Sequence, residues 1–303
     1  MGPGAVGTAW GVLLAESGLD VQVFGRGDRL DQVREQGLVA VDRRTGRPRR
    51  VRVQTHGALP DLGVYSLILA CVRPLHVRAV VQALGPTARS VPTVVASNWA
   101  LGLDLWEEHG LIAGFPGITA QLREGVCHYS LAPRAAQPHV FGVPIGPPTS
   151  AVHEVCAAFT AAGVPSQAHS NMDGWLRHHG AWMAPLNLAV HLCDQDADRL
   201  VADRELQTRL LGAIAEGFAV AEAAGHRRTP AWLRVWDAPP AWITLSLLRT
   251  LLSTRTMREN VAAMGAAGID EDRVLAEQIV AEGRRQGRAC TTLTALLQAA
   301  VAT

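Results

Sequence analysis

The chain has 303 residues, a formal net charge of +1, 48% apolar residues and 18% charged residues. This composition is typical of a folded globular protein and excludes intrinsic disorder. The balanced charge excludes a general nucleic-acid binder, and the longest apolar runs, such as 64–72, are too short to span a bilayer. We therefore predict neither a nucleic-acid partner nor a membrane partner.

The five cysteines are scattered along the chain and form no C-x-x-C pair. Such a distribution is typical of reduced thiols and offers no set of metal ligands, so we predict no metal site. Met1 is followed by a glycine-rich turn and not by the charged and apolar regions of a signal peptide, so a cytoplasmic protein is predicted. All 28 basic residues are arginine, which excludes a lysine as Schiff base or proton donor.

The beginning of the sequence carries a G-x-G-x-x-G pattern, with its glycines at Gly2, Gly4 and Gly7. Apolar residues at helical spacing follow, and then a short apolar run at 21–24, so the order is glycine turn, helix and strand. This order is the second half of a dinucleotide-binding βαβ unit, in which the turn and the helix N-terminus hold a pyrophosphate. The predicted cofactor contacts include Ala5 and Val6 between the glycines.

The strand that precedes the glycine turn in such a unit is missing from this sequence. We expect the true start to lie further upstream, with Met1 as the last residue of that first strand. If the chain begins at Met1, we expect weak cofactor binding and a marginally stable N-terminal domain.

The residue after the strand at 21–24 indicates the type of dinucleotide. An acid about twenty residues beyond the first glycine would hold the ribose hydroxyls of NAD. Here the strand is followed by Gly25 and Arg26, and an arginine can pair bidentately with a 2′-phosphate. NADP is therefore the predicted cofactor, with Arg29 as a second phosphate contact. An ordinary solvated arginine at position 26 is the alternative.

Strands and helices alternate through the first 170 residues, which predicts a Rossmann-like doubly wound α/β sheet whose first strand is missing. Buried strands are predicted at 65–72, 93–96 and 111–115, and antiparallel strands at 128–131 and 139–143. From residue 171 the pattern is helical to the end. We predict an NADP-binding domain over 1–170 and an all-helical domain for substrate binding and dimerisation over 171–303.

With these elements the chain resembles the ketopantoate reductases (2-dehydropantoate 2-reductases) over essentially its whole length. The glycine turn matches the family's glycine loop, Arg26 falls where the family keeps a basic residue for the 2′-phosphate, and Asn98 matches the asparagine of the family's Q-N-G. The resemblance implies an NADPH-dependent oxidoreductase that reduces a 2-keto acid or related carbonyl, a place in pantothenate biosynthesis, and a homodimer.

Several positions depart from the family's pattern. Arg73 and Arg177 stand where the family has lysines, and proton donation is attributed to the second of these lysines. Ala181 replaces a substrate-binding asparagine, whereas Glu271 falls on the glutamate that binds a substrate hydroxyl. Thr256 resembles a substrate-side serine, three residues out of register.

From the resemblance we carry over Arg73 as a cofactor contact, Asn98 as both a cofactor contact and a catalytic residue, and Arg177 as catalytic. Glu271, Thr256 and Ala181 become substrate-side residues. Because three substrate-side positions have changed, the expected substrate need not be ketopantoate.

The titratable proton donor is the missing part of this predicted site, because arginine keeps its proton at any ordinary pH. His178 and His179 are the candidate donors, and a packed structural role is the alternative for both. Gly180, Ala181 and Ala184 form a small-residue face of the same predicted helix. This face predicts either a close helix contact or space for a substrate.

Two other functions remain open from the sequence. One is a non-catalytic NADP(H)-binding sensor or scaffold that kept the fold and lost the catalytic lysine. The other is reduction of a different carbonyl or an imine, with a histidine as the donor.

Overall fold

The computed structural model describes residues 2–132, 138–236, 239–254, 257–258, 261 and 269–302. The chain folds into two compact units. The first consists of Met1–Ser97 and Leu103–Met172, and the second of Asn98–Gly102 and Asp173–Thr303. The second unit thus takes five residues from the first half of the chain, an excursion that the sequence did not predict.

The first unit contains the strands and five helices of the described residues. Its strands are β1 Gln22–Phe24, β2 Leu38–Asp42, β3 Pro48–Val51, β4 Gln54–His56, β5 Ile68–Cys71, β6 Thr93–Ala96, β7 Ile112–Phe115, β8 Ile118–Arg123, β9 Val126–Leu131, β10 His139–Gly142 and β11 Ser166–His169. Its helices are α1 Ala5–Glu16, α2 Gly27–Gln36, α3 Val77–Leu84, α4 Asp104–His109 and α5 Ser150–Ala161.

These strands form three sheets. The largest has the order β11-β10-β7-β6-β5, and the second has the order β3-β2-β9-β8. Strands β1 and β4 make a separate parallel pair, with Val23 opposite Thr55. In the largest sheet β5, β6 and β7 run parallel, and β10 is antiparallel to β7. The parallel strands place their carboxyl ends at one edge of this sheet, where loops can carry function.

Helix α1 packs against strands of the four-stranded sheet and carries part of the apolar core of this unit. Trp10 is buried at 1% exposure, meets Phe159 edge-on at 4.8 Å, and donates a hydrogen bond from Nε1 to Nε2 of His139 at 2.9 Å. Since these three residues come from α1, α5 and β10, their packing fixes the helix that follows the glycine turn.

The second unit is helical in its described part. Its helices are α6 Met172–Leu192, α7 Ala197–Ala202, α8 Arg204–Ala223, α9 Ala241–Leu252, α10 Ile269–Arg285 and α11 Thr291–Ala302, with a 3₁₀ turn at Ala231–Trp236. Helix α8 starts with Asp203, whose carboxylate accepts a hydrogen bond from the Leu206 amide at 2.8 Å, as expected for an N-cap.

Small residues let the helices of the second unit approach closely. A Cβ at Gly217 of α8 would lie 2.8 Å from Cβ of Ala181, and a Cβ at Gly180 would lie 3.3 Å from Leu275 of α10. The small-residue face of α6 is therefore a close helix contact. Of the two predictions for this face, the helix contact is the one that the structure supports, and the space for a substrate is not present there.

The predicted fold class is confirmed: Rossmann-like parallel strands are followed by a helical C-terminal region. The segments predicted as antiparallel strands at 128–131 and 139–143 each have an antiparallel neighbour, β8 for β9 and β7 for β10, and they belong to different sheets. Strand β8 and helix α7 were not predicted. None of the helices in the described ranges is long and apolar enough to cross a membrane.

Candidate functional site

The glycine turn leads directly into α1. Gly4 is exposed and is the N-cap of the helix, with no side-chain cap and no acid in the first turn, so the helix presents its amides and positive dipole end. A Cβ at Gly7 would lie 2.4 Å from the Gly2 carbonyl oxygen, so the turn closes tightly only because residue 7 is glycine. The amides from Ala5 onward could hold a pyrophosphate.

The two arginines near the turn differ in their surroundings. Arg26 is exposed and precedes α2, and it has no hydrogen-bond or ion-pair partner in the described part of the chain. Arg29 is engaged with the turn itself: Nε donates to the Pro3 carbonyl at 2.8 Å and Nη2 to the Thr8 hydroxyl at 2.9 Å. Arg26 therefore offers an exposed guanidinium near the turn, whereas Arg29 makes its hydrogen bonds to the turn itself.

Arg73 lies two residues beyond β5, at the carboxyl end of the largest sheet, and its side chain is exposed. The neighbouring Cys71 is half-buried, and desolvation raises the pKa of its thiol to about 12, so it is an inert thiol at neutral pH. Arg73 thus offers a cation at the sheet edge where parallel α/β sheets bind ligands.

In the second unit, two residues predicted separately come together. Asn98 donates from Nδ2 to Oε1 of Glu271 at 3.0 Å, and both side chains are half-buried. Asn98 follows β6 by two residues, and Glu271 lies in the first turn of α10. This pair combines an amide and a carboxylate, which are groups that recognise a hydroxyl or an amine.

The segment that carries Asn98 is fixed by hydrogen bonds to helices α6 and α10. The Ala100 amide donates to Oε1 of Gln278 at 3.0 Å, and the Ala100 carbonyl accepts from Nη1 of Arg177 at 3.4 Å. Within the segment, the Trp99 indole donates to the Gly102 carbonyl at 2.7 Å. These three hydrogen bonds hold the backbone that follows Asn98.

Arg177 lies in an ionic cluster and not in an open pocket. Its Nε donates to Oδ1 of Asp173 at 2.7 Å, and its Nη1 lies 3.1 Å from Oε1 of Glu282. The side chain is 10% exposed. Two carboxylates already neutralise the guanidinium, so a substrate carboxylate would have to displace them. This placement favours holding the Asn98 segment over the predicted catalytic contact.

The candidate proton donors are buried. His178 is 0% exposed, its Nδ1 bonds to the Gly174 carbonyl at 2.7 Å, and burial lowers its pKa. His179 stacks on Trp175 at 4.9 Å, and burial lowers its pKa to about 3. Both rings are neutral near pH 7, as expected for packed structural histidines.

The remaining substrate-side predictions fall elsewhere. Ala181 is 1% exposed and packs on Gly217, which leaves it no surface for a substrate. Thr256 lies outside the described residues. No group of three or more histidine, cysteine, aspartate or glutamate side chains in the described ranges could hold a metal ion.

The sequence reasoning missed a polar group beside Glu271. The next residue, Asp272, accepts from Nδ2 of Asn187 at 2.6 Å and lies 3.4 Å from Nε2 of His191. Asn187 and His191 are four residues apart on α6, so they share one face. Polar residues at that spacing on a mostly apolar helix were the available signal. Oδ1 of Asn187 is buried and has no hydrogen-bond partner in the described part of the chain.

Comparison with known proteins gives a consistent result. Residues 1–98 match the model of the family described as Ketopantoate reductase PanE/ApbA. No curated protein matches the sequence significantly.

Solved structures match nearly the whole chain. A PanE/ApbA family ketopantoate reductase from Ralstonia eutropha JMP134 has a TM-score of 0.74 at 22% identity, covering 100% of this chain and 96% of the other. The structure of 2-dehydropantoate 2-reductase from Geobacter metallireducens GS-15 has a TM-score of 0.77 at 20% identity, and the match covers 100% of this chain and 98% of the other. A ternary structure of D-mandelate dehydrogenase with NADH and anilino(oxo)acetate has a TM-score of 0.77 at 14% identity, and the match covers 99% of this chain and 96% of the other.

At these identities the solved structures establish the fold alone. The family model matches residues 1–98, which confirms the resemblance to the ketopantoate reductase family that was predicted from the sequence.

Proposed function

We propose that the protein is an NADPH-dependent reductase of a 2-keto acid or a related carbonyl compound. The observation that carries the proposal is the open glycine turn at the start of α1, within the segment that matches the family model. The structures of similar fold include D-mandelate dehydrogenase with NADH and anilino(oxo)acetate, an oxidoreductase with a nicotinamide cofactor.

The residues of the first unit fit a dinucleotide. The turn from Gly4 to Gly7 offers amides and leaves room above Gly4, where a Cβ would meet nothing within 4 Å. Arg26 supplies an exposed cation for a 2′-phosphate, and this supports NADP over NAD. When bound, the nicotinamide supplies the hydride for carbonyl reduction.

The residues of the second unit fit the substrate side. The Asn98 amide can donate to an oxygen on which negative charge develops, and such donors commonly contribute about a hundredfold or more to the rate. Glu271 fixes the Asn98 amide through their shared hydrogen bond and can also accept from a substrate hydroxyl or amine. In the first unit, Arg73 is an exposed cation that can pair with a substrate or cofactor anion.

The arrangement also indicates what the substrate site does not use. Arg177 is paired with Asp173 and Glu282, and the pKa values of His178 and His179 are lowered by burial. We therefore assign the proton to solvent or to a group near the Asn98–Glu271 pair. A non-catalytic scaffold role is less favoured, because Asn98 and Glu271 are placed together and not scattered.

The test has two steps. Quenching of tryptophan fluorescence gives the affinities for NADPH and NADH, and a panel of 2-keto acids is then assayed by NADPH absorbance. We expect NADPH to bind more tightly than NADH, and we expect turnover of at least one 2-keto acid. The turnover rate of this compound should fall strongly in Asn98→Ala. Arg44→Ala, on the exposed hairpin between β2 and β3, is the matched control. NADPH binding without turnover of any carbonyl would support the scaffold instead.

A further inference from the structure

Helix α10 meets two neighbours through adjacent faces. One face carries Glu271 and Gln278, which lie seven positions apart and so point to the same side of the helix. These residues accept hydrogen bonds from the segment 98–102, at 3.0 Å in each case. The adjacent face carries Asp272, which contacts α6. Successive residues of an α-helix point about 100° apart, so one rotation of α10 sets the direction of both faces.

The first turn of α10 is attached to α6 by a polar contact. Nδ2 of Asn187 donates to Oδ1 of Asp272 at 2.6 Å, and Nε2 of His191 lies 3.4 Å from Oδ2 of the same carboxylate. Asp272 is 5% exposed, so water competes little for these contacts. Two residues that are one turn apart on α6 thus hold one residue of α10.

The orientation of the Asn187 amide follows from this contact. A carboxylate only accepts hydrogen bonds, so Nδ2 must face Asp272 and Oδ1 faces away from it. Oδ1 is buried and has no hydrogen-bond partner in the described part of the chain. An unpaired buried acceptor costs free energy, which a leucine of similar size at this position would avoid. The amide therefore selects one alignment of the two helices at the expense of apolar packing.

The other contacts between α6 and α10 lie further from Glu271. The helices run antiparallel, and Arg177 near the start of α6 pairs with Glu282 at 3.1 Å, about three turns of α10 away from Glu271. Between the two ends, a Cβ at Gly180 would lie 3.3 Å from Leu275. This middle contact is apolar and has no preferred direction. The directional contact beside Glu271 is therefore the one made by Asp272.

We infer that Asn187 and Asp272 are positioning residues for the Asn98–Glu271 pair. Their hydrogen bond sets the rotation of the first turn of α10 and thereby directs the Glu271 carboxylate toward Asn98. His191 is the second contact that holds Asp272. The inference rests on the proposed function, in which the Asn98–Glu271 pair contacts the substrate. Asn187 and Asp272 act through Glu271 and are assigned no contact with the substrate.

The first test follows Asn98 without any substrate. In proton–nitrogen NMR spectra of the full chain, the side-chain amide signal of Asn98 is identified by its loss in Asn98→Ala. We expect Asn187→Leu to shift this signal by more than its line width, because the Glu271 carboxylate then loses its fixed direction. Glu277→Gln, at an exposed position of α10, is the control and should leave the signal in place. An unmoved Asn98 signal in folded Asn187→Leu would overturn the inference.

The second test separates positioning from a general loss of folded protein. Asn187→Leu should lower kcat/KM for the best 2-keto acid by roughly tenfold to a hundredfold, as misplacement of a binding group does, with the NADPH affinity unchanged. In a Glu271→Ala background the same change should cost less than about twofold, because the carboxylate that Asn187 positions is already gone. Equal factors in the two backgrounds would overturn the inference.

An exchange variant keeps the test decisive if Asn187→Leu does not fold. Asn187→Asp places two carboxylates against each other, whereas Asn187→Asp combined with Asp272→Asn restores an amide–carboxylate hydrogen bond with the roles reversed. We expect the exchange to return the Asn98 signal to its parent position and to restore most of kcat/KM. A folded exchange variant as impaired as Asn187→Asp would overturn the inference. If the parent turns over no 2-keto acid while the Asn98 signal moves as expected, the proposed function fails and the positioning contact stands.

Discussion

Asn98 and Glu271 form a hydrogen bond of 3.0 Å although 173 positions separate them in the sequence. The bond joins the segment after β6 to the first turn of α10, so the two side chains are coupled. Removing either partner therefore changes the other, and their effects on activity should not add.

Asn98→Ala should lower kcat/KM for the best carbonyl substrate by roughly a hundredfold, because it removes a donor to the developing oxyanion. Glu271→Gln keeps an acceptor for Asn98 but loses the charge, so we expect mainly a higher KM. Steady-state kinetics with NADPH check both changes. Glu277→Gln, on the exposed face of α10, is the control and should leave the kinetics unchanged.

Much of the first unit could be predicted from local pattern. The glycine turn, α1 and the buried strands near β5 and β6 are short-range features, which helical spacing and apolar runs encode directly. The membership of Asn98 in the second unit could not be predicted, because it depends on contacts with Glu271 and Gln278 that periodicity does not report.

Arg177 likewise has one contact that the sequence spacing indicates and one that it does not. Its pairing with Asp173 follows an i, i+4 spacing that is readable in the sequence, whereas its pairing with Glu282 brings together two distant helices. The resemblance predicted a catalytic role for Arg177, whereas in the structure its guanidinium pairs with two carboxylates of the protein itself. The role of Asn187 and His191 was hidden for the same reason, since their partner Asp272 lies on another helix.

Arg177→Met should destabilise the protein, but by less than the roughly 3–5 kcal/mol of a fully uncompensated buried charge, because Asp173 keeps His226 at 3.5 Å and Glu282 keeps its ion pair with Arg285. Urea unfolding followed by circular dichroism measures the change. Arg273→Met removes an exposed ion pair on α10 and should cost less than about 1 kcal/mol. Arg177→Lys should not create ketopantoate reduction, since the ammonium would lie between the same two carboxylates. A parent-like unfolding curve for Arg177→Met would contradict the structural role.

Arg26→Ala should weaken NADPH binding by roughly tenfold to a hundredfold and leave NADH binding nearly unchanged, because only NADPH carries the 2′-phosphate. Fluorescence titration of both cofactors gives the two affinities. Arg29→Ala should weaken both cofactors alike, since Arg29 holds the turn through Pro3 and Thr8. Equal losses for NADPH and NADH in Arg26→Ala would remove the case for NADP.

Gly7→Ala and Gly4→Ala should separate folding from cofactor binding. At Gly7 a Cβ would lie 2.4 Å from the Gly2 carbonyl oxygen, so the backbone must shift and the Tm should fall. At Gly4 a Cβ meets nothing within 4 Å, so the Tm should hold while NADPH binding weakens, because the methyl group occupies space that the pyrophosphate requires. A lower Tm for Gly4→Ala would show that the turn tolerates no side chain at either position.

His139 should make stability depend on pH in the acid range. It is 0% exposed, and burial lowers its pKa to about 4, from 6.5 for an unperturbed histidine. Below pH 6.5 the unfolded state binds a proton that the folded state does not, so the free energy of unfolding should fall between about pH 6.5 and pH 4, by up to roughly 3 kcal/mol. His139→Gln, which retains an acceptor for the Trp10 indole, should remove the His139 share of this dependence in urea titrations at several pH values, and the lowered pKa values of His178 and His179 leave a remainder. The exposed His153→Gln should leave the dependence as it is. An unchanged slope in His139→Gln would assign the acid sensitivity to other groups.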